Sequence, residues 1–322
     1  MHRLMIRAAF ALAALLAAVL PAAAQTPLPR TIKLVVPFSA GGSNDVIARA
    51  IAGPLSARLG VPVVVENKAG AAGVVGSDAV AKSPKDGSVL LLTSSSFLTA
   101  AATQKDLPYD PLTAFVPVAM VGRGPMLLVV SATTPFKSLG EVIADAKAKP
   151  GTLNYGTAGV GSIAHLTTEL LDDTAKVQMV HVPYKGAANA ATDLAGGQIQ
   201  VMISNYSTIA PLMKAGKIKA LGVTSAKKHP AFPDLPPVAS VAPGFDVDIW
   251  VGVFAPAGTP DAVVARLNQE INAIAASADL TPVLEPDGTL PEAIAPAVFA
   301  SKIKDELGQW KKIATDHKIV AE

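Results

Sequence analysis

The chain has 322 residues, of which 50% are hydrophobic and 16% charged, with a formal net charge of +2 and no cysteine. This length and apolar content suffice for two domains with buried cores and argue against disorder. The near balance of charges argues against nucleic-acid binding, and the lack of cysteine excludes disulfide bonds and a lipid anchor on cysteine.

Residues 1–24 have the pattern of a secretory signal peptide. Arg3 and Arg7 precede an apolar run over residues 8–20, and small residues follow at a cleavage-like site. The run is shorter than the roughly 18 to 20 apolar residues that a membrane span needs. We therefore predict export, cleavage and a free, soluble protein in the bacterial periplasm.

Apolar, strand-like runs alternate with helical patterns along the rest of the chain. They are IKLVV (32–36), PVVVE (62–66), VLLLT (89–93), MLLVV (126–130), IQVMIS (199–204) and IKALGV (218–223). Because these runs are continuously apolar rather than alternating, they predict strands that are covered on both faces, as in parallel α/β layers.

The helical segments carry their own start and stop signals. The helix after the first strand keeps Ile47 and Ile51 on one face, and the Gly53-Pro54 pair should kink or split it. A second helix is predicted over residues 138–149, with Ser138 as its N-cap.

Two stretches with proline and glycine suggest where the chain passes between domains. They are GRGP (122–125) and the linker-like, proline-rich segment 229–244. We predict a signal peptide over 1–24, a first domain formed by 25–124 plus 246–322, and a second domain over 125–245. Two crossings would form a hinge, and ligands of α/β domains commonly bind in the crevice.

Four loops rich in glycine and hydroxyl residues follow predicted strands. They are SAGGSN (39–44), SSSFLT (94–99), YGTAGVGSIAHL (155–166) and SNYST (204–208). The carboxyl ends of strands in an α/β sheet share one edge, so these loops should converge. Backbone amides and hydroxyls at helix starts can hold a carboxylate without a paired arginine.

Other chemical motifs do not fit the sequence. Gly156, Gly159 and Gly161 have the spacing G-x-x-G-x-G, which is not the dinucleotide-binding order. His165 and Glu169 offer two metal ligands on one helix face, but no third ligand is nearby in sequence. We predict no metal site, no cofactor and no catalytic residue. An exported α/β enzyme that uses His165 on a small acid stays open as an alternative.

Several long blocks of the sequence are familiar as a set. LVVPFSAGGSNDVIAR, VVVENKAGAAG, LNYGTAGVGSIAHL, VHVPYKGAANAATDLAGGQIQVMI and FAPAGTPDAVVARLNQEI occur in this order. With them the chain closely resembles the solute receptors of tripartite tricarboxylate transporters, also called Bug-type receptors. The resemblance covers almost the whole mature chain. It implies an α/β, two-domain, periplasmic-binding-protein-like fold (a Venus flytrap) with a hinge between the domains.

The resemblance also implies where a ligand would bind. In the family, the first loop and the YGTAGVGS loop hold a ligand carboxylate through backbone and hydroxyl groups and bridging waters. Carried over with two neighbouring loops, this predicts as ligand-binding residues Phe38, Ser39, Ala40, Gly41, Gly42, Ser43, Asn44, Asp45, Ser95, Thr157, Ala158, Gly159, Gly161, Ser162, His165, Ser204, Asn205 and Tyr206. Ser204 stands where family members commonly have an aspartate, which disfavours an amino-acid ligand.

The function predicted from the sequence is a non-enzymatic periplasmic receptor. It would capture a small organic carboxylate, such as a di- or tricarboxylate or an aromatic acid, and deliver it to integral membrane transporter subunits. Closure within one chain favours a monomer. Besides the enzyme, a sensor that reports a ligand to a signalling partner stays open.

Overall fold

The computed structural model describes residues 28–321, and the predicted signal peptide lies outside this range. The strands are β1 (Ile32–Val36), β2 (Val63–Asn67), β3 (Val89–Ser94), β4 (Phe115–Pro125), β5 (Leu127–Ser131), β6 (Asn154–Thr157), β7 (Val180–Pro183), β8 (Val201–Ser204), β9 (Ile218–Val223) and β10 (Asp248–Pro256). The α-helices are α1 (Ser43–Leu59), α2 (Val74–Ala81), α3 (Ser96–Thr103), α4 (Leu139–Ala148), α5 (Ile163–Ala175), α6 (Ala187–Ala195), α7 (Tyr206–Lys214), α8 (Asp261–Ala275), α9 (Thr281–Leu284) and α10 (Pro296–Asp316).

The strands form two five-stranded sheets, with orders β2-β1-β3-β10-β4 and β7-β6-β8-β5-β9. Neighbouring residues of β1 pack on opposite faces of the first sheet: Leu34 belongs to the core cluster that contains Ile51 of α1, whereas Val35 belongs to the cluster that contains Leu91. The continuously apolar strands are therefore covered on both faces, as predicted. The two-domain α/β fold predicted from the resemblance is confirmed by the close structural neighbours described below.

Both sheets are mixed, so the prediction of purely parallel layers was wrong. β1 runs parallel to β2 and β3, and β6 runs parallel to β7 and β8. However, β10 is antiparallel to both β3 and β4, and β5 is antiparallel to both β8 and β9. β5 and β10 are the first strands after each passage between the sheets. Each of them begins at the side of its sheet where the parallel strands have their carboxyl ends. It therefore runs antiparallel to those strands.

The two passages between the sheets meet at hydrogen bonds among buried residues. β4 in the first sheet and β5 in the second are separated by Met126 alone. The Met126 N–H donates to Thr224 Oγ1 at 2.8 Å, and the Thr224 N–H donates to the Met126 carbonyl at 2.9 Å. The N–H of Val247, which precedes β10, donates to the Thr224 carbonyl at 3.0 Å. Both passages are thereby held at one point.

Two local predictions need correction. The helix α1 continues through Pro54 rather than splitting, because Ile47, Ile51 and Leu55 are buried in the core and this tertiary packing outweighs the cost of proline. The proline-rich segment 229–244 is not a free linker, since it contains the short 3₁₀ turn Val238–Ser240 and buries Val238 and Ala242 completely. By contrast, the predicted capping of α4 is present: Ser138 Oγ accepts from the Glu141 N–H.

Within residues 28–321 no helix combines the length and the apolar character needed to cross a membrane. The predicted division into 25–124 plus 246–322 and 125–245 stays a prediction. The sheet memberships, with β1–β4 and β10 in one sheet and β5–β9 in the other, agree in outline with it.

Candidate functional site

A cleft of about 650 Å³ lies between the two sheets. Its walls come from both sides of the crossing point, including the end of β4 and the start of β10. The lining residues are Phe38, Ser39, Gly42, Ser43, Asn44, Ile47, Ser94, Ser96, Gly124, Pro125, Ile163, Gly186, Ala187, Asn205, Ile249, Val251, Asp287 and Thr289. Apolar side chains, partly or fully buried, and small polar groups therefore line one concave site together, as in most small-molecule sites.

Five α-helices begin at this cleft. The cleft is lined by Gly42 and Ser43 at the start of α1, by Ser96 at the start of α3 and by Ile163 at the start of α5. In the same way, Gly186 and Ala187 line it at the start of α6, and Asn205 at the start of α7. The first amides of a helix have no acceptor within that helix, and the helix dipole adds partial positive charge there. The cleft thus collects amide donors and positive potential from both sheets, which suits an anion.

The N-cap residues of most of these helices supply no side-chain cap, although Asp287 accepts from the Ser207 N–H at the start of α7. The residues before α1, α3, α6 and α7 make no side-chain capping bond, whereas Ser162 Oγ caps α5 by accepting from the His165 N–H. Gly42 and Gly186, the N-caps of α1 and α6, have no side chain that could cover these amides. The starts of α1 and α6 lie in different halves of the molecule, so a bound anion could bridge both.

Asp45 organises the loop that leads into α1 instead of lining the cleft. It is buried, and its carboxylate accepts from the Gly41 N–H at 2.8 Å and from Asn67 Nδ2 at 2.9 Å, while Arg49 Nε donates at 3.0 Å. The hydrogen bond from Arg49 and the one from Gly41 lower the pKa of Asp45 to about 2. The carboxylate therefore stays ionised and fixes the backbone of residues 38–42.

Asn44 and Ser94 join two of the predicted loops. The Asn44 Nδ2 lies 3.3 Å from Ser94 Oγ, and both residues line the cleft. Ser95, which was predicted to contact ligand, is fully buried, and its Oγ accepts from the Trp250 N–H at 3.0 Å. Its hydroxyl holds the start of β10, and the neighbouring Ser94 and Ser96 line the cleft in its place.

The residues of the YGTAGVGS loop lie outside the cleft lining. Of the segment that holds it, only Ile163 lines the cleft, whereas a side chain at Gly161 would meet Thr103 of α3 and Ala321 near the end of the chain. Gly161 also has a φ of +76°, which favours glycine. This loop therefore joins the second sheet's half to α3 and the chain's last described residues.

His165 is engaged within its own half of the molecule. It is buried, its Nδ1 accepts from the Gly161 N–H at 3.1 Å, and its Nε2 lies 3.6 Å from Glu169 Oε1. Its ring stacks on His181 with 3.7 Å between centroids, and burial lowers the pKa of His181 to about 4. These contacts order the turn at Gly161, and His165 lies outside the cleft lining.

The structure brings one third of the predicted site residues together in the cleft. Those that line it are Phe38, Ser39, Gly42, Ser43, Asn44 and Asn205. Those that lie outside its lining are Ala40, Gly41, Asp45, Ser95, Thr157, Ala158, Gly159, Gly161, Ser162, His165, Ser204 and Tyr206. Tyr206 is placed near Phe232, with 5.6 Å between ring centroids.

Gly186 and Ala187 line the cleft but are not among the ligand-binding residues predicted from the sequence. The block VPYKGAANAATDL has the same order of strand, glycine turn and helix as the loop before α1, and this pattern was sufficient to nominate it. The sequence prediction also missed Ile249, Val251, Asp287 and Thr289. These lie on a strand and in a turn, and their position at the cleft depends on the sheet order.

Comparisons with known proteins agree with this geometry. A family model described as "Tripartite tricarboxylate transporter family receptor" matches residues 47–319. The chain is 37% identical to Protein BugT of Bordetella pertussis over 92% of each chain.

Two solved structures from Rhodopseudomonas palustris are also similar. One is Rpa4515 with adipate, with a TM-score of 0.79 and 35% identity over 91% of this chain and 99% of that one. The other is MatC with bound malate, with a TM-score of 0.74 and 33% identity over 88% of this chain and 98% of that one. Family and neighbours are binding proteins rather than enzymes. This chain belongs to the tripartite tricarboxylate transporter receptor family.

Proposed function

We propose that this chain is a periplasmic receptor that captures a small organic carboxylate in the cleft and delivers it to a membrane transporter of the tripartite tricarboxylate type. The observation that carries the proposal is the convergence of open helix starts from both sheets on one cleft. Amides and helix dipoles can hold a carboxylate without a permanent positive charge, which favours release as well as capture.

The bound neighbours support the chemical class of the ligand. Adipate and malate, named for two similar structures, are both small organic carboxylates. In this chain the carboxylate would lie between Gly42 and Ser43 at the start of α1 and Gly186 and Ala187 at the start of α6. We propose these residues as the primary contacts, together with Asn44, which also lines the cleft.

Capture would proceed by closure of two domains around the crossing point. We propose that the halves are residues 25–124 plus 246–322 and residues 125–245, which turn about Met126, Thr224 and Val247. A ligand that contacts both halves binds the closed form more tightly than the open form and so increases its population. The transporter would recognise the closed form of a single, monomeric receptor, and no chemical step on the ligand is required.

A thermal-shift screen of the chain from Gln25 onward tests this function. The panel contains amino acids together with small mono-, di- and tricarboxylates and aromatic acids. Each acid without an amino group has its amide or alcohol analogue as a matched uncharged control. A ligand that binds only the folded protein adds about 2.7 kcal/mol of stability at a hundredfold excess over its Kd. We expect a shift with carboxylates and none with their uncharged analogues. Equal shifts with both, or no shift from folded, ligand-free protein, would contradict the proposal.

A further inference from the structure

Asp287 binds across the cleft to the start of α7. Its Oδ1 accepts from the Ser207 N–H at 2.7 Å, and its Oδ2 lies 3.0 Å from Ser207 Oγ. Asp287 belongs to the short 3₁₀ turn Glu285–Asp287, which follows α9 in the half of the molecule that contains the first sheet. Ser207 is the second residue of α7 in the other half, 80 positions earlier in the chain.

This carboxylate takes the place that a ligand anion could occupy. The N-cap Asn205 makes no side-chain capping bond to α7, and Asp287 supplies the cap instead. An anion at a helix start is stabilised by the free amides and by the helix dipole. Since Asp287 already uses the Ser207 amide and hydroxyl, α7 is less available to a ligand than α1 and α6 are.

Asp287 also sets the charge of the cleft. Among the lining residues of the described chain it is the one with an ionisable side chain, and no lysine, arginine or histidine lines the cleft. One ligand carboxylate can be held by the open starts of α1 and α6. A second carboxylate would have no cationic partner among the lining residues and would meet the like charge of Asp287.

The remaining walls suit an uncharged ligand body. Phe38, Ile47, Ile163, Ile249 and Val251 line the cleft with apolar groups. Thr289 provides a hydroxyl beside Asp287, so a distal hydroxyl, amide or amine could donate a hydrogen bond there.

On the basis of the proposed function, we infer that Asp287 makes this cleft selective for carboxylates that carry a single negative charge and an uncharged or donor-bearing distal end. Dicarboxylates such as those named for the two bound neighbours are then poorer ligands for this chain. Asp287 acts as a specificity-determining residue by its charge and by its occupation of the Ser207 donors.

Matched ligand pairs test this inference by calorimetric titration. Straight-chain dicarboxylates of four to eight carbons are compared with their monomethyl esters, which keep the length and one carboxylate but remove the second charge. We expect the wild-type protein to bind the best half-ester about tenfold more tightly than its parent diacid, a ratio in the range expected for an uncompensated like charge at short distance. Asp287→Asn should reduce this ratio to near one. Glu285→Gln, which removes an exposed charge in the same turn outside the cleft lining, should leave the ratio unchanged.

The outcomes separate the inference from the proposed function. The inference is overturned if the wild-type protein binds the diacid more tightly than its half-ester, even if Asp287→Asn does not fold. It is also overturned if a folded Asp287→Asn variant keeps the wild-type ratio of half-ester to diacid affinity. In both cases carboxylates still bind and the proposed function stands. If neither diacids, half-esters nor any carboxylate of the thermal-shift panel binds the folded protein, the proposed function fails and the inference fails with it.

Discussion

Replacing Thr224 by valine tests the hydrogen bonds that hold the crossing point. Thr224 is fully buried, and its Oγ1 accepts from the N–H of Met126, which is itself 1% exposed. Valine has nearly the same shape but no acceptor, so the Met126 N–H would be left buried and unpaired. Leaving one buried donor unsatisfied costs about 1–3 kcal/mol, and we expect Thr224→Val to lower the free energy of unfolding by this amount.

Thr93→Val is the matched control for this measurement. Thr93 is equally buried in β3, but its hydroxyl has no hydrogen-bond partner among the described residues. Removing an unpaired buried hydroxyl should be neutral or stabilising. Urea unfolding at pH 7, followed by circular dichroism, gives both values from the midpoint and the slope. Equal effects of the two substitutions would refute the role given to Thr224.

Three further predictions concern charge and backbone. Burial raises the pKa of Asp172 to about 7, so between about pH 4 and 7 the folded state holds a proton that the unfolded state has lost, and stability falls as the pH rises. The wild-type protein should lose up to about 4 kcal/mol of its free energy of unfolding between pH 4 and 8, and Asp172→Asn should abolish this loss. The prediction would be contradicted if urea unfolding gave the same difference in stability between wild type and Asp172→Asn at every pH from 4 to 8. The pKa of Asp45 is lowered, so its stabilisation is present above about pH 4 and lost as the pH falls to about 2. Asp45→Asn should therefore cost about 1–3 kcal/mol at pH 7 and much less at pH 2, where Asp45 is about half protonated, whereas an equal cost at both would contradict the charge argument. Gly41 has a φ of +83° whereas Gly42 has −76°, and Gly41→Ala should therefore destabilise by about 1–2 kcal/mol, more than Gly42→Ala, in the same assay.

The elements of the fold were accessible from the sequence because local signals determine them. Continuously apolar runs identified strands that are covered on both faces, and Ser138 marked the start of α4. The directions of β5 and β10 were not accessible. They depend on the edge at which the chain enters each sheet after crossing, and this edge is a property of the topology rather than of the strand's residues.

The candidate site was accessible only in part. The loop before α1 could be nominated because glycine and small polar residues stand between a strand and a helix. The YGTAGVGS loop has the same pattern, but its Gly161 packs close to Thr103 and Ala321, which lie far away in sequence, and the loop lies outside the cleft lining. The residues around Asp287 in the sequence do not indicate that it lines the cleft. Its role depends on its hydrogen bonds to Ser207, a residue that is brought close to it only by the tertiary structure.

A titration of a cleft-blocking variant tests the central claim most directly. Ala187 lines the cleft at the start of α6, while the next residue, Ala188, is exposed and outside the lining. Ala187→Trp fills the space between α1 and α6, and Ala188→Trp places the same side chain in solvent on the same helix. Calorimetry with the carboxylate that gives the largest thermal shift should show binding to wild type and Ala188→Trp, and none to a folded Ala187→Trp. Equal affinity of all three proteins would show that the carboxylate binds elsewhere and would contradict this assignment of the cleft.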